Sequence, residues 1–201
     1  MTVAAAGPSR RAPSARQDEL LELAYQYVLA HGLADMSLRP LAKAIGSSPR
    51  VLLFLYGSKD ALIRALLDRA RSDELAAIAA FREIESGAGL ADSARQVWEW
   101  LSAPDHRLLL GLWVEAYARS LVNPAGPWGG FAAQTVQDWL GLLASTQPQA
   151  RRHSPAGAAE RTAVLALLRG AMLDLLATGD LARTTESVTL LLEALAPSRA
   201  R

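Results

Sequence analysis

The feature that most limits the fold is the punctuation between residues 32 and 60. Gly32, Gly46 and Gly57 follow the ends of short apolar segments, and Ser37, Ser48 and Ser58 precede their starts. A serine oxygen accepts from the unpaired N–H groups of a first helical turn. A glycine takes the left-handed backbone that closes a last one. Ser48-Pro49 is the sharpest signal, because proline at the first helical position forfeits no hydrogen bond. Pro40 stands likewise in the first turn after Ser37. The spacing predicts two short helices joined by a turn at Gly46, the second over 48–56, preceded by a helix that starts at Arg16 and followed by one over 58–85.

Apolar periodicity supports this division. Leu20, Leu23, Ala24, Tyr27 and Val28 recur at helical spacing, which gives the first helix one apolar stripe. Leu38, Leu41, Ala42 and Ile45 form an inner face on the second. Further helices are expected near 90–102, 104–122, 128–146, 157–178 and 183–196, and no segment alternates with the period of a strand. The expected fold class is all-α, with about nine helices. Residues 1–15 read as a disordered basic arm, 16–62 as a three-helix domain, and 63–201 as a second, larger helical domain.

Several chemistries find no support. The chain has no cysteine, and His31, His106 and His153 lie far apart, so no metal site is expected and no cofactor is implied. No nucleophile–base pair, carboxylate pair or glycine-rich phosphate loop supports an enzyme. No long uncharged apolar run suggests a membrane span, and no signal peptide is evident. A soluble cytoplasmic protein is the expectation. Residues 1–71 hold 10 Arg and Lys against 6 Asp and Glu, while the whole chain carries a net charge of only +1. A basic N-terminal third suits a nucleic-acid-binding module.

Two short helices joined by a tight glycine turn meet the requirements of a helix-turn-helix, whose second helix enters the major groove of DNA. The stretch 17–64 resembles the tetracycline-repressor (TetR) type of DNA-binding domain. The matching residues are His31-Gly32, Met36-Ser37-Leu38-Arg39, Leu41-Ala42-Lys43-Ala44-Ile45-Gly46, Ser47-Ser48-Pro49-Arg50, and Tyr56-Gly57-Ser58-Lys59-Asp60-Ala61-Leu62. The resemblance covers about a quarter of the chain. It implies a homodimeric transcription regulator, by family default a repressor, that binds a pseudo-palindromic double-stranded operator. By position it places Arg39 and Lys43 on the DNA side of the second helix. It does the same for Ser47, Ser48, Pro49, Arg50, Val51 and Phe54 in and before the third, and for Lys59 at the start of the fourth. Leu53, Phe54 and Leu55 depart from the family's more polar pattern, which leaves base reading mainly to Arg50 and Arg39 and gives Phe54 apolar contact with a thymine methyl. The alternative is a helical interaction protein that kept the motif and lost DNA binding.

The resemblance also implies a small-molecule cavity in the C-terminal domain. All five tryptophans fall within 98–139. Aromatics at helical spacing pack cores and also wall pockets. The expected lining is Trp98, Leu101, Trp113, Tyr117, Phe131, Gln134 and Met172, and the expected effector is hydrophobic or aromatic. Glu115, Asp138 and Asp174 read as solvent-facing, with a salt bridge at a dimer edge as the other reading of Asp174. Leu165, Leu168, Met172, Leu175 and Leu176, with Val188, Leu191 and Leu192 on the last helix, are the expected dimer interface.

Overall fold

The computed structural model describes residues 15–33, 36–84 and 89–195. Those residues form ten α-helices and no strand. In chain order they are α1 (Ala15–His31), α2 (Leu38–Ala44), α3 (Pro49–Tyr56), α4 (Lys59–Ile84), α5 (Leu90–Ser102), α6 (Arg107–Val122), α7 (Phe131–Ser145), α8 (Gln149–Arg152), α9 (Pro155–Thr178) and α10 (Leu181–Leu195). The expected arm lies outside the described residues, apart from Ala15, which opens α1.

Two apolar cores organise the helices. The first is built from α1–α3 and the near half of α4, and takes in Leu112 and Ala116 of α6 together with Trp128 and Phe131. The second joins α5, α7, α9 and α10, with Ile78 from the far half of α4. Helix α4 therefore runs through both cores, and the first core extends to Ala70, beyond the expected boundary at 62. On α1 the buried face is Leu20, Ala24, Tyr25 and Val28. Leu23 is exposed instead, because the helix turns Tyr25 inward to reach α4.

Three boundaries differ from expectation, each for a local reason. Helix α7 begins at Phe131 rather than 128 because Gly130 holds φ 82, a left-handed value incompatible with helix. The break around 148–155 contains the short α8, which Pro148 precedes. Ser154 then caps α9 by accepting from the Gly157 amide at 3.0 Å, with Pro155 at the first helical position. This repeats the Ser48-Pro49 device. The expected 104–122 helix is a 3-10 turn over Pro104–His106 followed by α6.

Candidate nucleic-acid interface and ligand cavity

The α2–α3 pair is set by its caps. Gly46 has φ 63, and the amides of Gly46 and Ser47 donate back to the carbonyls of Lys43 and Ala42. That is the two-bond Schellman closure, which lets the chain reverse within three residues. Ser48 is extended, accepts from the Val51 amide at 3.3 Å and has Pro49 at the first helical position. Ser58 caps α4 through the Ala61 amide at 3.0 Å. Ser37 occupies the cap position of α2 but makes no side-chain capping bond, so α2 starts on backbone geometry alone.

These caps sort α3 into an inner and an outer side. Leu52 is its one buried residue, 1% exposed in the first core. Arg50, Val51 and Leu53 face out, and Phe54 is 85% exposed. Arg39, Lys43 and Lys59 are exposed, while Ser47, Ser48 and Pro49 are half-buried at the turn. Helix α2, the turn after it, α3 and the start of α4 thus hold all nine expected DNA-facing residues. Between residues 36 and 59 the chain holds four cations and no acid, and the next residue, Asp60, is exposed in the first turn of α4.

Polar contacts lock the motif onto its scaffold. The Tyr56 hydroxyl donates to the Gln17 carbonyl at 3.0 Å, and burial pushes that phenol's pKa up to about 12. The Tyr25 hydroxyl donates to Asp73 at 2.8 Å. Arg69 bonds Glu22 and Asp73 and lies over the Tyr25 ring. Burial, followed by the Asp73 bond, raises the Tyr25 pKa, so this phenol stays protonated well above neutral pH. Sequence reading missed Tyr25, because its significance is a tertiary contact with α4.

Between α4, α5, α6, α7 and α9 lies an aromatic-walled cavity with about 40 Å³ of room for the centre of a water molecule. Its wall includes Trp100, Leu101, Trp113, Trp139 and Met172, with Glu74 and Arg169 as its two ionisable groups. Of the expected lining, Leu101, Trp113 and Met172 are at the wall. Tyr117 stands one turn beyond Trp113, at a ring distance of 5.2 Å. Trp98 instead points to α10, where its indole donates to Thr185 at 3.0 Å. Phe131 packs in the first core because α7 starts there, beside α6. Gln134 is exposed and bonded to Arg71. Glu74, Trp100, Trp139 and Arg169 were not foreseen. Arg169 did leave a signal, a lone cation in an apolar run, whereas Glu74 sits among other charges.

Three acids expected in solvent have partners within the chain. Glu115 accepts from the Leu33 amide at 2.9 Å, joining α6 to the segment after α1. Asp138 pairs with Arg71 at 2.9 Å. Asp174 is gripped by both terminal nitrogens of Arg183 at 2.7 Å, and that bond holds its carboxyl below the usual carboxylate range.

Solved structures share this arrangement. A multidrug binding protein, EbrR, complexed with imidazole matches at TM-score 0.67 and 24% identity, over 92% of each chain. A putative TetR-family transcriptional regulator from Rhodococcus sp. matches at TM-score 0.66 and 19% identity, over 90% of this chain and 96% of the other. A TetR transcription regulator from Haloarcula marismortui matches at TM-score 0.64 and 16% identity, over 89% and 95%. The chain has the TetR fold. No protein-family model and no curated protein sequence matches it.

Within this TetR fold the last two helices present a different face from the one expected. Leu165, Leu168, Met172, Leu175, Val188 and Leu192 are buried in the chain's own second core, and Leu176 is half-buried against it. Of the expected interface only Leu191 is substantially exposed, at 47%. The outward side of α9 carries Ala163, Ala166, Gly170, Leu173 and Ala177, and that of α10 carries Ser187, Leu191 and Ala194. A shallow groove runs between the two helices past Ala166, Gly170 and Ser187. The bulkier residues of both helices fill the chain's own interior.

Proposed function

We propose that the chain is a dimeric transcription regulator that binds a pseudo-palindromic operator through α3 and releases it when a small molecule enters the cavity. The observation that carries this reading is α3 itself. Leu52 pins one side into the core, while Arg50, Val51 and Phe54 face out and Arg39, Lys43 and Lys59 are exposed on the neighbouring helices. Arg50 and Arg39 read base edges, Phe54 meets thymine methyls, and Lys43 and Lys59 hold phosphates. Repression is the sign we assign, since a bound dimer covers its operator. Selecting fragments from random duplex DNA with the full-length protein tests the reading, and a recurrent two-half-site sequence is the expected product. On that sequence Arg50→Ala should cost about 1–3 kcal/mol and relax discrimination at one base pair. Wild-type affinity in that variant would remove Arg50 from the reading.

The dimer face we assign is the outward side of α9 and α10. Its alanines and Gly170 let a partner's helices approach closely, and Leu191 supplies apolar area. Two helices from each chain would make a four-helix interface.

For the effector, the neighbouring EbrR structures, complexed with imidazole and with proflavin, support a planar aromatic ligand. The present cavity has room for a few waters, so a ligand must displace side chains at the wall, such as the half-buried Trp100 and Trp113. An effector acts only through its different affinity for the two states. Two elements link the cavity to the DNA-binding unit. Helix α4 carries Glu74 in the cavity and Leu62 in the first core. Helix α6 carries Trp113 at the wall and, two residues on, the Glu115 bond to Leu33.

One observation favours the second reading, a helical interaction protein without DNA. Phe54, Val51 and Leu53 form an exposed apolar strip on α3 that a protein partner would also cover. Salt-dependent binding to duplex DNA separates the two readings.

A further inference from the structure

We infer that the ligand of the aromatic cavity is a small aromatic carboxylate, held by the free side edge of the Arg169 guanidinium. This rests on the reading of the cavity as an effector site. Only two ionisable groups line an otherwise apolar wall, and they differ in what they still need.

Glu74 is already supplied. The Trp139 indole donates to one carboxylate oxygen, and the Thr135 hydroxyl reaches the other at 3.5 Å. Burial raises its carboxyl above the ordinary range, against the opposing effect of the Trp139 and Trp113 contacts. A group pushed toward its neutral form, with its oxygens occupied, is a weak attractor for a cation.

Arg169 is not supplied. One terminal nitrogen, Nη1, donates to the Tyr117 hydroxyl at 3.3 Å. Its Nε and Nη2 atoms are buried and have no hydrogen-bond partner in the protein. Glu74 attracts it through space, but no ion pair of the described residues joins the two. Burial lowers its pKa, yet a guanidinium stays charged across the whole physiological range. A buried donor without an acceptor is costly, and here two stand on one charged group.

Their position selects the acceptor. Nε and Nη2 form the same edge of the planar guanidinium, the edge that takes both oxygens of a carboxylate through parallel N–H···O bonds. The rings of Trp113 and Tyr117 lie 5.2 and 5.1 Å from the guanidinium carbon and hold its plane. The edge is therefore fixed in orientation as well as unpaired. The surrounding indoles supply flat apolar contact for a ring, and the narrow cavity favours one ring over several.

Three single-ring probes of similar size test this: benzoate, benzamide and benzylammonium, titrated calorimetrically into the protein with tryptophan emission recorded in parallel. Trp100, Trp113 and Trp139 line the cavity, so emission reports binding there. Benzoate is expected to bind at least tenfold more tightly than the other two. Arg169→Met should abolish that preference. Arg169→Lys, which keeps the charge and loses the two-point edge, should reduce it. Glu74→Gln, which removes the one acid in the cavity wall, should enlarge it. Benzylammonium binding tightest, or all three binding alike, would overturn the inference while the effector reading stands. If neither these probes nor their naphthyl counterparts bind to the folded wild type, the effector reading itself fails. The wild-type ranking decides the matter even if a variant does not fold.

Discussion

Gly170→Glu combined with Leu191→Glu is expected to leave the chain monomeric and to weaken binding to a two-half-site operator at least a hundredfold. Both positions are on the outward side of α9 and α10. A Cβ added at Gly170 meets no atom within 4 Å, so the substitution does not strain the chain's own packing. A glycine inside a helix also costs about 0.8–1 kcal/mol relative to alanine, so the isolated chain gains local helix stability from its loss. What the variant cannot do is bring two carboxylates per chain into an apolar contact between protomers, where unpaired charge is strongly unfavourable. DNA affinity falls because the second half-site contact is intramolecular only in a dimer, an advantage of about 10²–10⁴. Sedimentation and anisotropy titration measure both consequences, with circular dichroism checking the fold. A variant that stays dimeric would show that the interface lies elsewhere. As a control, Val188→Ala should destabilise the fold and leave the dimer intact, because Val188 faces the chain's own core.

A second contrast concerns two adjacent leucines. Leu52→Ala should cost about 2–5 kcal/mol of unfolding free energy, as expected for a fully enclosed leucine that leaves a cavity. Leu53→Ala should cost no more than about 0.5 kcal/mol, as expected for a surface position. The difference follows from exposure, 1% for Leu52 and 41% for Leu53. Leu52 is the only buried side chain of α3, so its loss should also loosen the recognition helix and weaken DNA binding. Urea denaturation of the two variants makes the comparison directly. Equal costs would mean that α3 is not seated as described.

Helices α2 and α3 were legible because most of their boundaries have a local chemical cause, the start of α2, where Ser37 makes no capping bond, being the exception. Ser48-Pro49, Gly46, Gly57 and Ser58 each act within one turn of where they stand, so no tertiary knowledge is needed to place α3. The same logic fails where two outcomes share one local pattern. Helix α9 is apolar on most sides, and periodicity alone cannot tell its own core from a partner's surface. Bulk pointed to Leu165, Leu168 and Met172 as the interface, yet these fill the chain's interior. The small residues Ala166 and Gly170 mark the face left open. The cavity was legible as a region and less so as a set of side chains. Its aromatic content was visible, but the direction of Trp98 toward Thr185 depends on how α5 meets α10. The approach of Glu74 and Arg169 to one cavity joins positions ninety-five residues apart, which no local pattern encodes.

The salt dependence of binding tests the central claim most directly. The full-length protein is titrated onto its selected operator and onto a shuffled duplex of equal length, at several salt concentrations. Each protomer brings four cations on the α2–α4 surface. If most of them meet phosphates in the dimer, the logarithm of the binding constant should fall against log salt with a slope between about −4 and −7. At physiological salt the operator should be preferred by at least about 10³. A slope near zero, or equal affinity for the operator and the shuffled duplex at every salt concentration, would contradict the account and make the exposed apolar strip of α3 a protein-binding surface.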